Sequence, residues 1–396
     1  MIEVAEALRI VLAHAKPLPA EVTALASMAL GQILAVDVLA DGDSPPFTKS
    51  VMDGYAVRSV DFAKGPCELR IVAEIAAGAV PTVPIGEGEA AAIYTGAMLP
   101  PGADAVVRIE RTQLLDDGRV KILEAPSAPG QFVVPQGKEY QTGDVLIRAG
   151  SEITPATFGL CAAVGKTVVS ARARARVCVV ATGNELVEAN RRPKLGQIRN
   201  SNGPMLTAQA VRAGALPRYL GISSDDPTVL ASYIREGLEI SNILVLAGGV
   251  SAGKFDLVPQ VLKDQGVTIH FHHVRVKPGK PLLFGTLGDK LVFGLPGNPL
   301  SAFVGFELFV RPAIRVLNGH ADAGPVVQSR ALTEPLTASN DRPTYHPARL
   351  DGLGATALPW FGSADLRALL PADGLIALPA GENKYEAGDK VNVVIL

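Results

Sequence analysis

The chain has 396 residues, more than the ~250 to 300 at which a single hydrophobic core stops growing, so its length predicts two or more domains. Its 37 Lys+Arg against 39 Asp+Glu leave a formal net charge of -2, which excludes the electrostatic footprint of a nucleic-acid or anionic-membrane binder. Cys67, Cys161 and Cys178 are an odd, widely spaced set that excludes a disulfide framework or a C-x-x-C zinc site and predicts a reducing, cytoplasmic setting. No stretch reaches the ~18 uninterrupted apolar residues of a membrane span, and Glu3, Glu6 and Arg9 break the N-terminal apolar rhythm that a signal peptide would need.

In chain order, 41–140 is Gly- and Pro-rich, with short apolar runs at 69–72 and 103–109 between turn signals, and reads as a β-rich domain. At Thr154-Pro155 an N-cap followed by proline at the first helical position opens a short helix toward Gly165. A strand at 176–181 follows, then a polar loop and a helix from Gly203 closed by Gly214. Asp226-Pro227 caps the next helix; 242–246 is a short apolar strand, 256–265 is helical, and 267–276 is extended. Strands at 282–285 and 290–294 lead to a long helix from Asn298-Pro299 to Gly319. Strands alternating with helices predict βαβ units and a doubly wound, mostly parallel sheet covered on both faces. Beyond Gly319 the helical signals fade, and segments such as 374–378 and 390–396 predict a small C-terminal β-barrel or sandwich.

In an open parallel sheet, ligands bind outside the carboxyl ends of the strands, so the loops there carry the functional reading. The strand ending at Leu246 runs into Ala247-Gly248-Gly249-Val250-Ser251-Ala252-Gly253, where glycines let backbone N–H groups approach an anion; Asp256 follows, as metal ligand or plain helix charge. Gly294-Leu295-Pro296-Gly297-Asn298-Pro299 leads into a helix N-terminus, an anion site by geometry unless it is an ordinary tight turn. Thr182-Gly183-Asn184-Glu185-Leu186 places a hydroxyl and a carboxylate at the end of the first strand. Lys277-Pro278-Gly279-Lys280-Pro281 fixes two ammonium groups around a rigid turn suited to an oxyanion. Asp225 is left spare once Asp226 caps its helix. None of these loops is a Rossmann or P-loop phosphate motif, and their clustering on one sheet edge carries the argument. It points to a phosphate-bearing, nucleotide-like ligand with carboxylates beside it for a divalent cation.

His270, His272 and His273 invite a metal, but on a strand only His270 and His272 share a face and no cysteine or carboxylate spacing completes a site; structural roles are favoured. Cys178 inside an apolar strand reads as core. No nucleophile elbow is present.

Taken together, seven segments carry a resemblance: 50–58 (SVMDGYAVR), 94–97 (YTGA), 102–107 (GADAVV), 182–186 (TGNEL), 248–251 (GGVS), 277–281 (KPGKP) and 295–301 (LPGNPLS). At this spacing the whole chain resembles the molybdopterin molybdenumtransferases, the molybdenum insertases of cofactor biosynthesis that include the C-terminal part of gephyrin. The resemblance implies four parts: a helical linker domain at 1–45 plus 141–174, a β-rich domain at 46–140, an α/β domain at 175–319 resembling the molybdopterin adenylyltransferases, and a C-terminal β-barrel at 320–396. It implies a transferase that inserts molybdate into adenylylated molybdopterin with release of AMP, assisted by Mg²⁺.

It further implies a homodimer with active sites shared between subunits, in which Asp53 and Thr95 of one face Glu185, Asp225, Asp256 and Lys277 of the other. Catalytic roles fall to Asp53, Thr95, Glu185, Lys277 and Lys280, and metal binding to Asp256 and Asp225. Substrate contacts fall to Gly248, Gly249, Val250, Ser251, Asp225, Pro296, Gly297, Asn298, Arg342 and Ser363. A molybdopterin adenylyltransferase is an expected partner enzyme; nucleic acid and membrane are not. The chain departs from the family at Ala91-Ala92-Ile93-Tyr94, at Gly137-Lys138-Glu139, and at His273, where some members carry a lysine. Two alternatives stand beside this reading: a pterin nucleotidyltransferase, and a gephyrin-like non-catalytic scaffold.

Overall fold

A computed structural model describes residues 1–126, 128–250 and 257–396. The chain divides into two compact units: Met1–Val36, Gly150–Thr154 and Val168–Leu396 form one, and Asp37–Ala149 with Pro155–Thr167 the other.

The larger unit is built on helix α1 (Val4–His14) and an α/β run. That run comprises β1 (Arg176–Thr182), α2 (Asn202–Arg212), β2 (Leu216–Ser223), α3 (Pro227–Ile240), β3 (Ile243–Ala247), α4 (Val258–Asp264), β4 (Thr268–His273), β5 (Pro281–Leu287), β6 (Lys290–Leu295), α5 (Pro299–Gly305) and α6 (Arg311–Leu317). The six strands form one sheet in the order β2-β1-β3-β6-β5-β4. The first four run parallel, as alternating strands and helices require, while β5 returns antiparallel to β6 and β4 antiparallel to β5.

Aliphatic residues fill β1 and β3 without alternation because both faces are covered. Val177, Val179, Ile243 and Val245 point to one side and meet Leu206 of α2, Ala7 and Val11 of α1, and the helices after β6. Cys178, Val180, Leu244 and Leu246 point to the other and meet Leu230 and Ile234 of α3 and Val261 and Leu262 of α4. Cys178 is thus a core residue, as its strand suggested.

Two expectations need correction. The long helix from Asn298-Pro299 to Gly319 is interrupted: one π-helical turn, Phe306–Val310, separates α5 from α6. Pro312 lacks the N–H that a continuous α-helix would direct to residue 308, and the wider turn absorbs the missing donor. The same turn carries Glu307, only 1% exposed. Its carboxylate accepts from Gln209 Nε2 at 2.7 Å, Arg212 Nη2 at 2.5 Å and Arg311 Nη1 at 2.9 Å, tying α2 to α6. The helix expected at 256–265 begins at Val258, and Asp256 lies outside the described residues.

Strands Val327–Leu332, Gly354–Ala357, Thr344–Asp351, Gly374–Leu378 and Lys390–Ile395 close into a barrel, beside a separate pair formed by Leu336–Asn340 and Gly381–Tyr385. The smaller unit holds a mixed six-stranded sheet that includes Gly54–Val57, Glu68–Ile75, Glu89–Ile93 and Ala105–Arg108. Its helix, Pro155–Ala163, starts at the proline the sequence marked.

Glu307→Ala removes the buried acceptor shared by Gln209, the half-exposed Arg212 and the partly buried Arg311, and we expect it to lower the unfolding free energy by roughly 2 kcal/mol. Urea denaturation measures the change; an unaltered midpoint would contradict the weight given to this cluster.

Candidate functional site

Thr182, Ala247 and Leu295 end β1, β3 and β6, and the loops that follow line one cavity of about 460 Å³ in the larger unit. Gly248 and Gly249 adopt φ of +101° and +63°, which side chains rarely tolerate. A Cβ at Gly248 would lie 2.5 Å from the Thr182 carbonyl oxygen, and one at Gly249 would lie 2.9 Å from Val258 Cγ2. The Gly248 N–H donates to the Leu295 carbonyl at 3.0 Å. A Cβ on Gly297 would come within 3.7 Å of Gly248 Cα, so the two glycine loops lie against each other and present main chain to the cavity.

Carboxylates flank this cradle. Glu185 and Asp225 both line the cavity. The Asn184 main-chain N–H donates to Asp225 Oδ2 and the Asp225 N–H donates to Asn184 Oδ1, each at 3.1 Å, which locks the ends of β1 and β2 together. The Glu185 carboxylate folds back over Gly183, where a Cβ would fall 2.3 Å from Oε2.

Of the residues singled out from sequence, the cavity gathers Glu185, Asp225, Gly248, Gly249, Val250, Pro296, Gly297 and Asn298. Ser363 adjoins it: Asn298 Nδ2 donates to Ser363 Oγ at 2.9 Å, and the Leu300 N–H donates to the Ser363 carbonyl at 3.0 Å. Asn298 therefore spends its side chain on Ser363 and leaves α5 without a side-chain cap. Lys277, Lys280 and Arg342 are not among the residues lining the cavity. Lys277 Nζ donates to Asn340 Oδ1 at 2.9 Å, Lys280 is exposed, and Arg342 Nε pairs with Asp341 Oδ2 at 3.1 Å. Ser251 and Asp256 lie outside the described residues.

Two polar side chains of the cavity were not assigned as ligands from sequence, although the sequence places the Thr182 hydroxyl at the end of its strand. Thr182 is 4% exposed and Asn202 is 7% exposed; Asn202 donates Nδ2 to the Gly297 carbonyl at 2.8 Å, and among the described residues neither Thr182 Oγ1 nor Asn202 Oδ1 has a hydrogen-bond partner. Buried polar atoms are costly to leave unpaired, which marks both as positions a ligand would satisfy. Asn202 is set by a chain behind it: Asn200 Nδ2 donates to Tyr219 Oη at 2.6 Å, Tyr219 donates to Glu188 at 2.9 Å, and the Gly203 N–H donates to Asn200 Oδ1 at 3.0 Å. Burial, and then the Glu188 carboxylate, push the Tyr219 hydroxyl far above its usual range. The signal for Asn202 was its place at the start of the first helix after β1, on the ligand-binding edge of the sheet.

The histidines are engaged structurally. His270 Nε2 meets Thr286 Oγ1 at 2.9 Å and His272 Nε2 meets the Val250 carbonyl at 2.7 Å; among the described residues no cluster of three or more His, Cys, Asp or Glu is placed to hold a metal.

In the smaller unit, Asp53 Oδ1 accepts from the Thr95 N–H at 2.8 Å and from Thr95 Oγ1 at 2.7 Å. Gly54, next in sequence, is fixed by packing, since a Cβ there would collide with the Val107 carbonyl at 1.9 Å. The two bonds from Thr95, main chain first, hold the Asp53 carboxyl below the usual carboxylate range.

Comparison with known proteins now decides the family. Residues 2–165 match the MoeA N-terminal region (domain I and II), 178–316 a probable molybdopterin binding domain, and 330–396 the MoeA C-terminal region (domain IV). A molybdopterin molybdenumtransferase of Staphylococcus aureus (strain COL) is 34% identical over 100% of this chain and 95% of its own. The chain belongs to the molybdopterin molybdenumtransferase family. A molybdopterin molybdenumtransferase of Bacillus subtilis (strain 168) is 35% identical over 93% of this chain and 88% of its own. The crystal structure of a molybdopterin biosynthesis moeA protein from Pyrococcus horikosii matches with a TM-score of 0.85 at 30% identity, covering 100% of this chain and 99% of that one. A molybdopterin molybdenumtransferase fold thus accounts for the entire chain, with the cavity inside the segment that matches the probable molybdopterin binding domain.

Because the folded pKa of Asp53 is depressed, the Thr95 contacts favour folding above the ordinary value of about 3.9, and that contribution is lost as pH falls through the folded value. Thr95→Val removes the hydroxyl bond and should raise the Asp53 pKa toward the ordinary value. Carboxyl-resolved NMR titration measures it, and an unchanged pKa would contradict the assignment.

Proposed function

We propose that this chain is a molybdenum insertase, which inserts molybdate into adenylylated molybdopterin and releases AMP to form molybdenum cofactor. The carrying observation is the pair of touching glycine loops at the carboxyl ends of β3 and β6, with Glu185 and Asp225 beside them in one cavity. Main-chain N–H groups held this way suit a phosphate-bearing ligand, and the unpaired Thr182 Oγ1 and Asn202 Oδ1 offer a donor and an acceptor to the rest of it.

Glu185 and Asp225 are hard oxygen donors on the same cavity, the type Mg²⁺ takes one or two of together with substrate phosphates, so the residues present fit the ion. In this reading Asp225 would hold it together with Asp256, with Glu185 beside them in its catalytic role, and bound Mg²⁺ would neutralise charge on the pyrophosphate linkage. The chain's own task is to hold the nucleotide end still and keep the linkage in reach of Lys277 and Lys280. Pro296, Gly297, Asn298 and Ser363 shape the nucleotide end, with Val250, Ser251 and Arg342 as further substrate contacts. The dithiolene sulfurs that receive molybdenum come with the substrate, so no catalytic cysteine is required, and Cys161 and Cys178 are accordingly buried.

The reading includes a homodimer in which Asp53 and Thr95 of one subunit complete the site of the other, the four-part domain division given above, and cooperation with a molybdopterin adenylyltransferase. It places the protein in the cytoplasm, supported by three free cysteines; among the described residues no helix is long and apolar enough to cross a membrane. Neither the nucleotidyltransferase nor the scaffold alternative gains support, since the near-full-length relatives above carry the molybdenumtransferase name.

The test incubates the protein with adenylylated molybdopterin, Mg²⁺ and molybdate and follows AMP. We expect molybdate-dependent AMP release, near-complete loss in Asp53→Ala and in Gly249→Ala separately, and partial recovery when the two variants are mixed. Release without molybdate dependence would overturn the reaction; loss without recovery on mixing would overturn the shared site.

A further inference from the structure

Lys277 stands in the turn between β4 and β5, and its main chain is clamped from two sides. The Lys277 N–H donates to the Pro343 carbonyl and the Tyr345 N–H donates to the Lys277 carbonyl, both at 2.8 Å, in a short parallel bridge to Thr344. On the other side, Gly279 packs against α5 and the loop before it: a Cβ there would lie 3.4 Å from the Ser301 carbonyl and 3.9 Å from Pro296 Cγ. The turn is therefore wedged between the cavity's second glycine loop and the segment that enters the barrel.

A clamped main chain still leaves a flexible four-carbon side chain, and Asn340 fixes it. Asn340 ends the strand Leu336–Asn340, 63 positions beyond Lys277, and its Oδ1 accepts from Lys277 Nζ at 2.9 Å. The carboxamide's other end, Nδ2, is buried with no partner among the described residues. An amide that leaves its N–H₂ unsatisfied in order to turn its oxygen toward an ammonium is oriented by that ammonium.

The choice of partner matters. Asp341 is the next residue, and Lys277 acts on it electrostatically, after the Arg342 hydrogen bond that chiefly lowers the Asp341 carboxyl. Lys277 nevertheless bonds a neutral oxygen, so its charge is held in place without being cancelled, with two further N–H donors left for an anion. A carboxylate partner would hold it equally well and neutralise it.

We propose that Asn340 is a positioning residue for the reaction: it holds the Lys277 ammonium in its working orientation and keeps it from capture by Asp341. This rests on the proposed role of Lys277. It makes the barrel-side segment a working part of the site, since the residue that sets the lysine comes from beyond the α/β run.

The test measures kcat and KM for molybdate-dependent AMP release in Lys277→Ala, Asn340→Ala, the double variant, Asn340→Asp, and Asn340→Ala combined with Asp341→Asn, each with its unfolding midpoint. Asn340→Ala should lose roughly tenfold in kcat/KM, the scale of one hydrogen bond to a charged group. The double variant should be no worse than Lys277→Ala alone. Asn340→Asp, which preserves shape, should lose at least as much as Asn340→Ala, and Asp341→Asn should recover activity in the Asn340→Ala background. Activity of Asn340→Asp or Asn340→Ala within about twofold of wild type would overturn the proposal, as would losses from Lys277→Ala and Asn340→Ala that simply multiply or the absence of recovery with Asp341→Asn. A silent Lys277→Ala would instead remove the role assigned to Lys277, and this inference with it.

Discussion

Ala247 and Leu295 are paired in register at the carboxyl ends of neighbouring parallel strands, and the Gly248 N–H donates across that pair to the Leu295 carbonyl. Everything proposed for the cavity depends on this junction. Parallel pairing makes both chains leave the sheet on the same side, and the hydrogen bond forces their first turns together. A side chain at Gly248 would meet the Thr182 carbonyl, and at Gly297 it would approach Gly248. Gly248 has no room for a side chain and the Gly297 turn lies in van der Waals reach of it, so the junction presents main chain, whose N–H groups suit an anion.

Around the junction the fold adds polar groups by reach. Asn202 spans from the start of α2 to the Gly297 carbonyl, 95 positions away, and Asn298 spans to Ser363. Lys277 meets Asn340 in the same way. Each is one asparagine carboxamide bridging segments that the sheet and barrel have already brought close, so each adds precision to a site it did not create. The larger unit thus carries its cavity on rigid strand ends. The carboxylate and hydroxyl of the smaller unit, Asp53 and Thr95, are likewise paired before any ligand arrives.

How much of this was legible in the sequence follows from how local each cause is. β1 and β3 were legible because a strand buried on both faces must be aliphatic throughout. The first glycine loop was legible because the positive φ of Gly248 and Gly249 leaves few alternatives to glycine, and the helix starts at Pro155, Pro227 and Pro299 because proline suits the first helical turn. The antiparallel return of β5 and β4 was less so, since their composition serves either direction. The π turn before α6 was hidden because it answers both a missing N–H at Pro312 and the long-range demands of Glu307. Asn202 looked like an ordinary polar residue near a helix start; only its contact with Gly297 and its unpaired oxygen reveal it. Arg342, offered as a substrate contact by the family resemblance alone, does not line the cavity and pairs through Nε with Asp341.

The central claim is that the touching glycine loops bind the nucleotide end of the substrate. The most direct measurement is amide hydrogen exchange with and without saturating AMP. The account predicts slowed exchange at Gly249, Val250, Gly297 and Asn298, while the Gly248 amide, already bonded to the Leu295 carbonyl, and the barrel strands stay unchanged. AMP that fails to bind, or that protects another region and leaves these amides untouched, would contradict it.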